Sequence, residues 1–248
     1  MKPGGCIELA GRDVGVVVPV EGFDGKFRLR PTNVFCLGEN FRAHAEEVGA
    51  EVPRRPIVFV KSPSNLIGHE DPIVLPRARV ATRVDHEVEL GVVLRKCGRN
   101  VAAEDAWEHV LGFTVVNDVT ARDVQGVAKA RGEPWFLSKN LAGSCPVGPR
   151  VVLREDLPPS ELEDLRLELR VNGEVRQRGR VGDMIFPVPR VISFISSWMP
   201  VEAGDLIAMG TPAGIGPLKA GDVVEAEVQR VGVLRNPVVK APRGGTSP

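Results

Sequence analysis

Two glutamates two positions apart have a spacing that suggests chemistry. In Val84-Asp85-His86-Glu87-Val88-Glu89-Leu90-Gly91-Val92-Val93-Leu94 the apolar positions read as a strand, along which successive side chains alternate faces. Glu87 and Glu89 therefore point the same way, and two like charges on one face are unfavourable unless a cation lies between them. A hard divalent ion such as Mg²⁺ or Mn²⁺ suits carboxylate oxygens, although a solvated strand face has the same signature. A third acid, Asp118, ends the apolar run Gly112-Phe113-Thr114-Val115-Val116-Asn117. An acid there can simply cap the following helix. Arg122 and Gln125 come at i+4 and i+7 from it, on one helical face, so a guanidinium and an amide accompany the acids. Such a set suits an oxygen-rich anionic ligand.

His44 stands three residues before Glu47 in Gly38-Glu39-Asn40-Phe41-Arg42-Ala43-His44-Ala45-Glu46-Glu47. On a helix this spacing lets the carboxylate hold the imidazole and fix its tautomer, as a water-activating base requires; a surface ion pair reads the same. Lys139, after Trp135-Phe136-Leu137-Ser138, can neutralise a substrate carboxylate or be an ordinary surface lysine. Gly210-Thr211-Pro212-Ala213-Gly214 is a tight loop whose hydroxyl and N–H groups can bind an anion, or serve only as a turn. His69, His86 and His109 lack such context, and His86 falls on the strand face opposite Glu87 and Glu89.

The elements that position these residues read as mainly β with few helices, an α+β composition. Gly (27 residues) and Pro (21) are spread along the 248 positions and punctuate short β-branched runs. The pattern predicts strands over 14–18, 57–61, 87–94, 112–117, 165–171, 205–209, 223–228 and 231–238. Asn172-Gly173 marks a two-residue hairpin, because both turn positions need positive φ. Helices are expected over 41–48, 102–109, from after Asp118 through Ala128, and 189–198. No regular β-α-β alternation and no glycine-rich phosphate loop is present, which argues against a doubly wound nucleotide fold. The expected organisation is a short N-terminal β segment over 1–31, a catalytic domain over 32–240 and a loose tail over 241–248.

Composition removes whole classes of partner. The 32 basic residues balance the 32 acidic ones, so net charge offers no attraction to nucleic acid or to an anionic membrane. No run of 18 apolar residues and no N-terminal apolar run of signal length occurs. Cys6, Cys36, Cys97 and Cys145 lie far apart with no C-x-x-C, which fits free thiols in a reducing cytoplasm.

Taken in order, these motifs resemble the fumarylacetoacetate hydrolase superfamily from about Asn33 to Asn236. The matching pieces are G-x-N-[YF]-x-x-H-x-x-E at Gly38 to Glu47, D-x-E-x-E-L at Asp85 to Leu90, and N-D-V-T-A-R-D-x-Q at Asn117 to Gln125. Lys139, V-N-G-E with Gln177, and the block from Pro200 to Gly214 follow them. The resemblance implies a mixed β-sandwich roll, a homodimer, and Mg²⁺ or Mn²⁺ held by Glu87, Glu89 and Asp118. It also implies substrate contacts from Arg122, Gln125, Lys139 and Thr211, a catalytic part for Lys139, and His44 and Glu47 as a water-activating pair. The implied substrate is a small 2-oxo acid reacting through a metal-stabilised enolate. Hydrolysis of a C–C bond in an acylpyruvate or fumarylpyruvate comes first. Isomerisation of a 2-hydroxy-dienedioate and decarboxylation of oxaloacetate are alternatives on the same residues, and a non-catalytic binder of metal and oxo acid, or a structural Ca²⁺ site, stands in a different class. Two positions depart from the family pattern. Phe41 replaces the usual Tyr, in a chain that has no tyrosine, and Asn140-Leu141-Ala142 replaces Ser-Phe-Asp after the lysine.

Overall fold

The strand Val88–Leu94 is buried at every position, because its sheet is covered on both faces. The computed structural model describes residues 16–19 and 26–242. In the seven-stranded sheet the order is Ile57–Lys61, Val34–Gly38, Leu206–Ala208, Val88–Leu94, Val110–Asn117, Cys145–Leu153, Leu66–Ile67. A five-stranded sheet, ordered Glu174–Arg180, Arg166–Val171, Val223–Val228, Gly232–Lys240, Ile73–Leu75, packs against it. Both are mixed: Leu206–Ala208 runs parallel to Val34–Gly38, and Gly232–Lys240 parallel to Ile73–Leu75, among antiparallel neighbours.

Alternation divides each central strand between two clusters. Leu90, Val92, Phe113 and Val115 meet Leu167, Leu169, Val224 and Ala226 of the second sheet in the main core. Val34, Cys36, Val93, Val116, Cys145 and Leu206 pack together in a second cluster. Each fully buried aliphatic side chain contributes about 1.5–3 kcal/mol relative to exposure. Glu87 and Glu89 share the parity of Val93, so they lie on the strand face turned away from the sheet-to-sheet core.

The predominantly β architecture follows the expectation from sequence. The hairpin forms at Asn172 (φ 54°) and Gly173 (φ 81°), with Val171 opposite Glu174. Helices occupy Arg42–Glu47, Arg122–Arg131 and Val188–Trp198, and the 102–109 segment is a 3₁₀ helix over Ala103–His109. The expected strand over 14–18 is described only as Val16–Pro19, and the tail only through residue 242; the rest of both lies outside the described residues. Several strands escaped the pattern, among them two of the large sheet. Cys145–Leu153 carries Pro146, Gly148 and Pro149 and reads as loop; its pairing with Val110–Asn117 is irregular between Gly148 and Val152, where Pro149 supplies no N–H. Val34–Gly38 is a five-residue apolar run without alternation, because both its faces are buried.

Candidate metal and substrate site

Register creates the acidic cluster. Antiparallel pairing sets Val88 opposite Asn117, so the next residues outward, Glu87 and Asp118, become neighbours. Asp118 N–H donates to the Glu87 carbonyl at 2.9 Å, and the Glu87 N–H donates to Asn117 Oδ1 at 2.9 Å. Glu89 lies two positions back on the same face. One carboxylate oxygen from each of Glu87, Glu89 and Asp118 lies within 4.8 Å of the others, and all three residues are buried.

Two of these acids have cationic partners and one does not. Lys61 Nζ donates to Asp118 Oδ1 at 2.7 Å, and Lys139 Nζ to Asp118 Oδ2 at 2.6 Å and Glu87 Oε2 at 2.8 Å. Burial pushes the Glu87 carboxyl up, but Lys139, Arg122 and His44 outweigh burial and hold it below the usual carboxylate range. Glu89 accepts the Gly210 N–H at 2.7 Å and has no Lys or Arg partner among the described residues. Burial, then the charges of Asp118 and Glu87, push its carboxyl well above the ordinary value. Three converging hard oxygen donors, one of them uncompensated, fit a divalent cation. Gly210 has φ 92°, and a Cβ there would lie 2.8 Å from that of Asn40, so glycine is required where the backbone meets Glu89.

Asp118 is no helix cap. Thr120–Ala121 first pairs with Val84–His86, and the helix begins at Arg122 with Ala121 at its N-cap. Arg122 and Gln125 are therefore i and i+3 on that helix, and Arg122 Nη1 donates to Gln125 Oε1 at 2.6 Å. Arg122 Nε donates to Asp85 at 3.0 Å and Nη2 donates to Glu87. Lys139 is no surface residue. Its side chain is 3% exposed, its third hydrogen goes to Thr120 Oγ1 at 2.7 Å, and despite burial Asp118 and Glu87 hold its pKa above the ordinary value.

A narrow cleft of about 10 Å³, room for roughly one water, is lined by His44, Glu87, Arg122, Gln125, Lys139 and Thr211, together with Glu39, Lys129 and Trp135. His44 Nδ1 lies 3.1 Å from Glu47 Oε2, and Glu47 Oε1 accepts the Gly214 N–H at 2.9 Å. A carboxylate only accepts, so Nδ1 carries a proton, and in the neutral imidazole the lone pair is then on Nε2. Glu47 touches the imidazole and the loop rather than the cleft. Phe41 is 2% exposed and packs in the main core. Asn140 ties a neighbouring turn, accepting from Ser62 N–H at 2.6 Å and from Asn65 Nδ2 at 2.9 Å.

Sequence reasoning missed Lys61, Asp85 and the Glu39–Lys129 pair (2.7 Å) at the cleft. Lys61 ends the apolar strand Ile57–Lys61 and is 1% exposed, a burial that a lysine needs an acid to tolerate. Asp85 has the same strand parity as Glu87 and Glu89, and that was the available signal. His86 instead turns to Gln177.

Three clustered carboxylates that could hold a divalent ion, a cleft with cationic side chains and a His–Glu pair lie together on a mixed β roll, the arrangement of an enzyme site. The chain belongs to the fumarylacetoacetate (FAA) hydrolase C-terminal family, whose profile matches residues 33–239. It is 43% identical over 215 residues to the oxaloacetate tautomerase YisK of Bacillus subtilis, covering 83% of this chain and 69% of that one. It is 39% identical over 199 residues to the mitochondrial oxaloacetate tautomerase fahd-1 of Caenorhabditis elegans, covering 80% and 91%. The crystal structure of fumarylpyruvate hydrolase from Pseudomonas aeruginosa in complex with Mn²⁺ and pyruvate superimposes with a TM-score of 0.86 at 28% identity, covering 94% of this chain and 99% of that one. No helix among the described residues is long and apolar enough to cross a membrane.

Proposed function

We propose that this enzyme acts on small 2-oxo acids through their enolates, and that its reaction is the keto–enol interconversion of a dicarboxylic 2-oxo acid such as oxaloacetate. The supporting observation is the single cleft that gathers His44, Arg122, Gln125, Lys139 and Thr211 beside Glu87 of the acidic cluster. Glu87, Glu89 and Asp118 would hold Mg²⁺ or Mn²⁺, and the P. aeruginosa complex with Mn²⁺ and pyruvate supports that pairing of ion and ligand class. When bound, the ion draws charge onto the 2-oxo and carboxylate oxygens and lowers the cost of forming the enolate.

The remaining work falls to side chains. Arg122, Gln125 and Thr211 bind oxygens of the acid. Lys139 stays protonated and holds Glu87 and Asp118 in place. His44, with Nδ1–H committed to Glu47, offers its Nε2 lone pair to a proton on C3. The C3–H electron pair becomes the second bond between C2 and C3, the carbonyl pair moves onto oxygen, and the proton returns to that oxygen. No water is consumed.

Hydrolysis of an acylpyruvate or fumarylpyruvate, placed first from sequence, uses the same enolate and is the second reading. The His44–Glu47 contact favours it, because such a pair suits water activation. Tautomerisation takes precedence because the two tautomerase relatives share 43% and 39% of aligned residues with this chain, against 28% for the hydrolase. The test is a panel of oxaloacetate, acetylpyruvate and fumarylpyruvate with Mg²⁺ or Mn²⁺, following enol absorbance and products. Accelerated interconversion of oxaloacetate, lost on chelation, supports the proposal. Cleavage of the acylpyruvates alone would move the assignment to hydrolysis.

The same reading includes a cytoplasmic homodimer. Free thiols at Cys36, Cys97 and Cys145 support the compartment. Exposed Trp198 and Met199, beside an apolar groove lined by Phe35, Ile57 and Phe194, support self-association, which light scattering tests directly.

A further inference from the structure

Gln177 reaches from the strand Glu174–Arg180 to the 210–214 loop and is 1% exposed. Two backbone groups with no choice of role fix its amide. Oε1 accepts the Val88 N–H at 3.1 Å, and Nε2 donates to the Pro212 carbonyl at 2.8 Å. A flipped amide would oppose N–H to N–H and C=O to C=O, so the orientation is determined without reference to any side chain. Oε1 also lies 3.0 Å from His86 Nδ1. The second amide hydrogen goes to Thr211 Oγ1, at 2.7 Å. Thr211 therefore accepts from Gln177, and its own hydrogen remains for another acceptor. Thr211 lines the cleft, and no other hydrogen bond of its hydroxyl occurs among the described residues.

We infer that Gln177 is a positioning residue that commits the Thr211 hydroxyl to donate into the cleft, so that the site takes a carboxylate or carbonyl oxygen at this point and disfavours an N–H group. This rests on the proposed 2-oxo acid reading and specifies the polarity of one contact within it. The consequence is chemical discrimination. The oxygen of a 2-oxo acid accepts the Thr211 hydrogen, whereas the ammonium of a 2-amino acid can only use the remaining lone pair and leaves that hydrogen without an acceptor.

The test compares Gln177→Glu, Thr211→Val and the double variant, each checked for fold by circular dichroism. The readouts are pyruvate affinity by calorimetry with Mn²⁺ supplied, and KM against kcat for oxaloacetate. A glutamate at 177 accepts the Thr211 hydrogen and takes it from the ligand. Gln177→Glu is therefore expected to weaken pyruvate binding roughly ten-fold, as a lost hydrogen bond to a charged group does. Thr211→Val should lose about as much, and the double variant no more than either single change. A purely structural role would lower the melting temperature and give additive losses. Additive losses, or parental affinity in Gln177→Glu beside a weakened Thr211→Val, overturn the inference alone. A parent that binds no pyruvate overturns the 2-oxo acid reading and this one together. If Gln177→Glu does not fold, Gln177→Met, which neither donates nor accepts at this point, carries the same additivity comparison with Thr211→Val.

Discussion

Lys61 and Lys139 grip opposite oxygens of one carboxylate, at 2.7 Å from Oδ1 and 2.6 Å from Oδ2 of Asp118. They arrive from separate elements, the end of the strand Ile57–Lys61 and the end of the short helix Phe136–Lys139. Both side chains are buried, so the acid is held in a fixed orientation by charges that cannot relax into solvent.

Removing Lys61 leaves buried Asp118 with Lys139 alone, a cation it shares with Glu87. Lys61→Met should lower the stability of metal-free protein by about 3–5 kcal/mol, the usual cost of breaking a buried pair. Asp118→Asn in the same chain should recover part of that loss, because the under-compensated charge goes with it. Chemical denaturation of the three variants measures this. A Lys61→Met protein as stable as the parent would show that the contact contributes nothing.

Glu89 makes a prediction about pH. Its carboxyl is pushed above the ordinary 4.5, by burial first and then by Asp118 and Glu87. In both folded and unfolded chains it is protonated well below that value. As pH rises above 4.5 the unfolded chain ionises first, and this contribution to stability is lost until pH passes the raised folded value. Metal-free parent protein should therefore lose stability over that interval relative to Glu89→Gln. Bound metal should reverse the trend, since it requires the ionised form. Glu89→Gln should weaken metal affinity by about ten-fold or more, at least 1.4 kcal/mol. Equal affinities by calorimetric titration would exclude Glu89 as a ligand.

Asp85 orients the guanidinium that the ligand is expected to meet. It is fully buried and accepts from Arg83 Nε at 2.9 Å and from Arg122 Nε at 3.0 Å. Asp85→Asn sets an NH₂ donor against an arginine donor and removes one of the three groups that hold the Arg122 guanidinium. KM for oxaloacetate should rise about ten-fold with a smaller change in kcat, the pattern of lost binding. Arg83→Gln, at a half-exposed position, should cost little. A larger effect from Arg83→Gln than from Asp85→Asn would reverse these roles.

The residues of the site were more legible in the sequence than the contacts among them. Glu87 and Glu89 were readable because strand parity puts them on one face, and His44 and Glu47 because helical spacing brings them together. Lys61 was not readable, since its partner stands 57 positions away and only tertiary packing joins them. The same holds for Gln177, whose role depends on Pro212, 35 positions on in another segment. Arg122 and Gln125 were paired correctly but for a wrong reason: two strand residues intervene before the helix, and i,i+3 geometry replaces the expected register from Asp118. Local pattern reports faces and turns; it does not report which faces meet.

The division of labour between His44 and the acidic cluster can be read from three reactions of one enzyme. Tautomerisation needs a base for the C3 proton, and hydrolysis needs a base for water, whereas decarboxylation of oxaloacetate needs mainly stabilisation of enolate charge. His44→Ala should therefore suppress oxaloacetate interconversion, and any acylpyruvate cleavage, by roughly 10² to 10⁴, the size of a general-base contribution. Decarboxylation and metal affinity should stay within about two-fold, because neither uses that lone pair. No phenol can take over the proton, since the chain contains no tyrosine and Phe41 is buried in the core. Glu47→Gln should lose less than His44→Ala, because it keeps a neighbour at Nδ1 but no longer enforces the tautomer through a carboxylate 3.1 Å away. Side-by-side rates for the three reactions decide the matter. Equal losses in all of them would assign His44 to binding, and no loss in any would remove it from the chemistry.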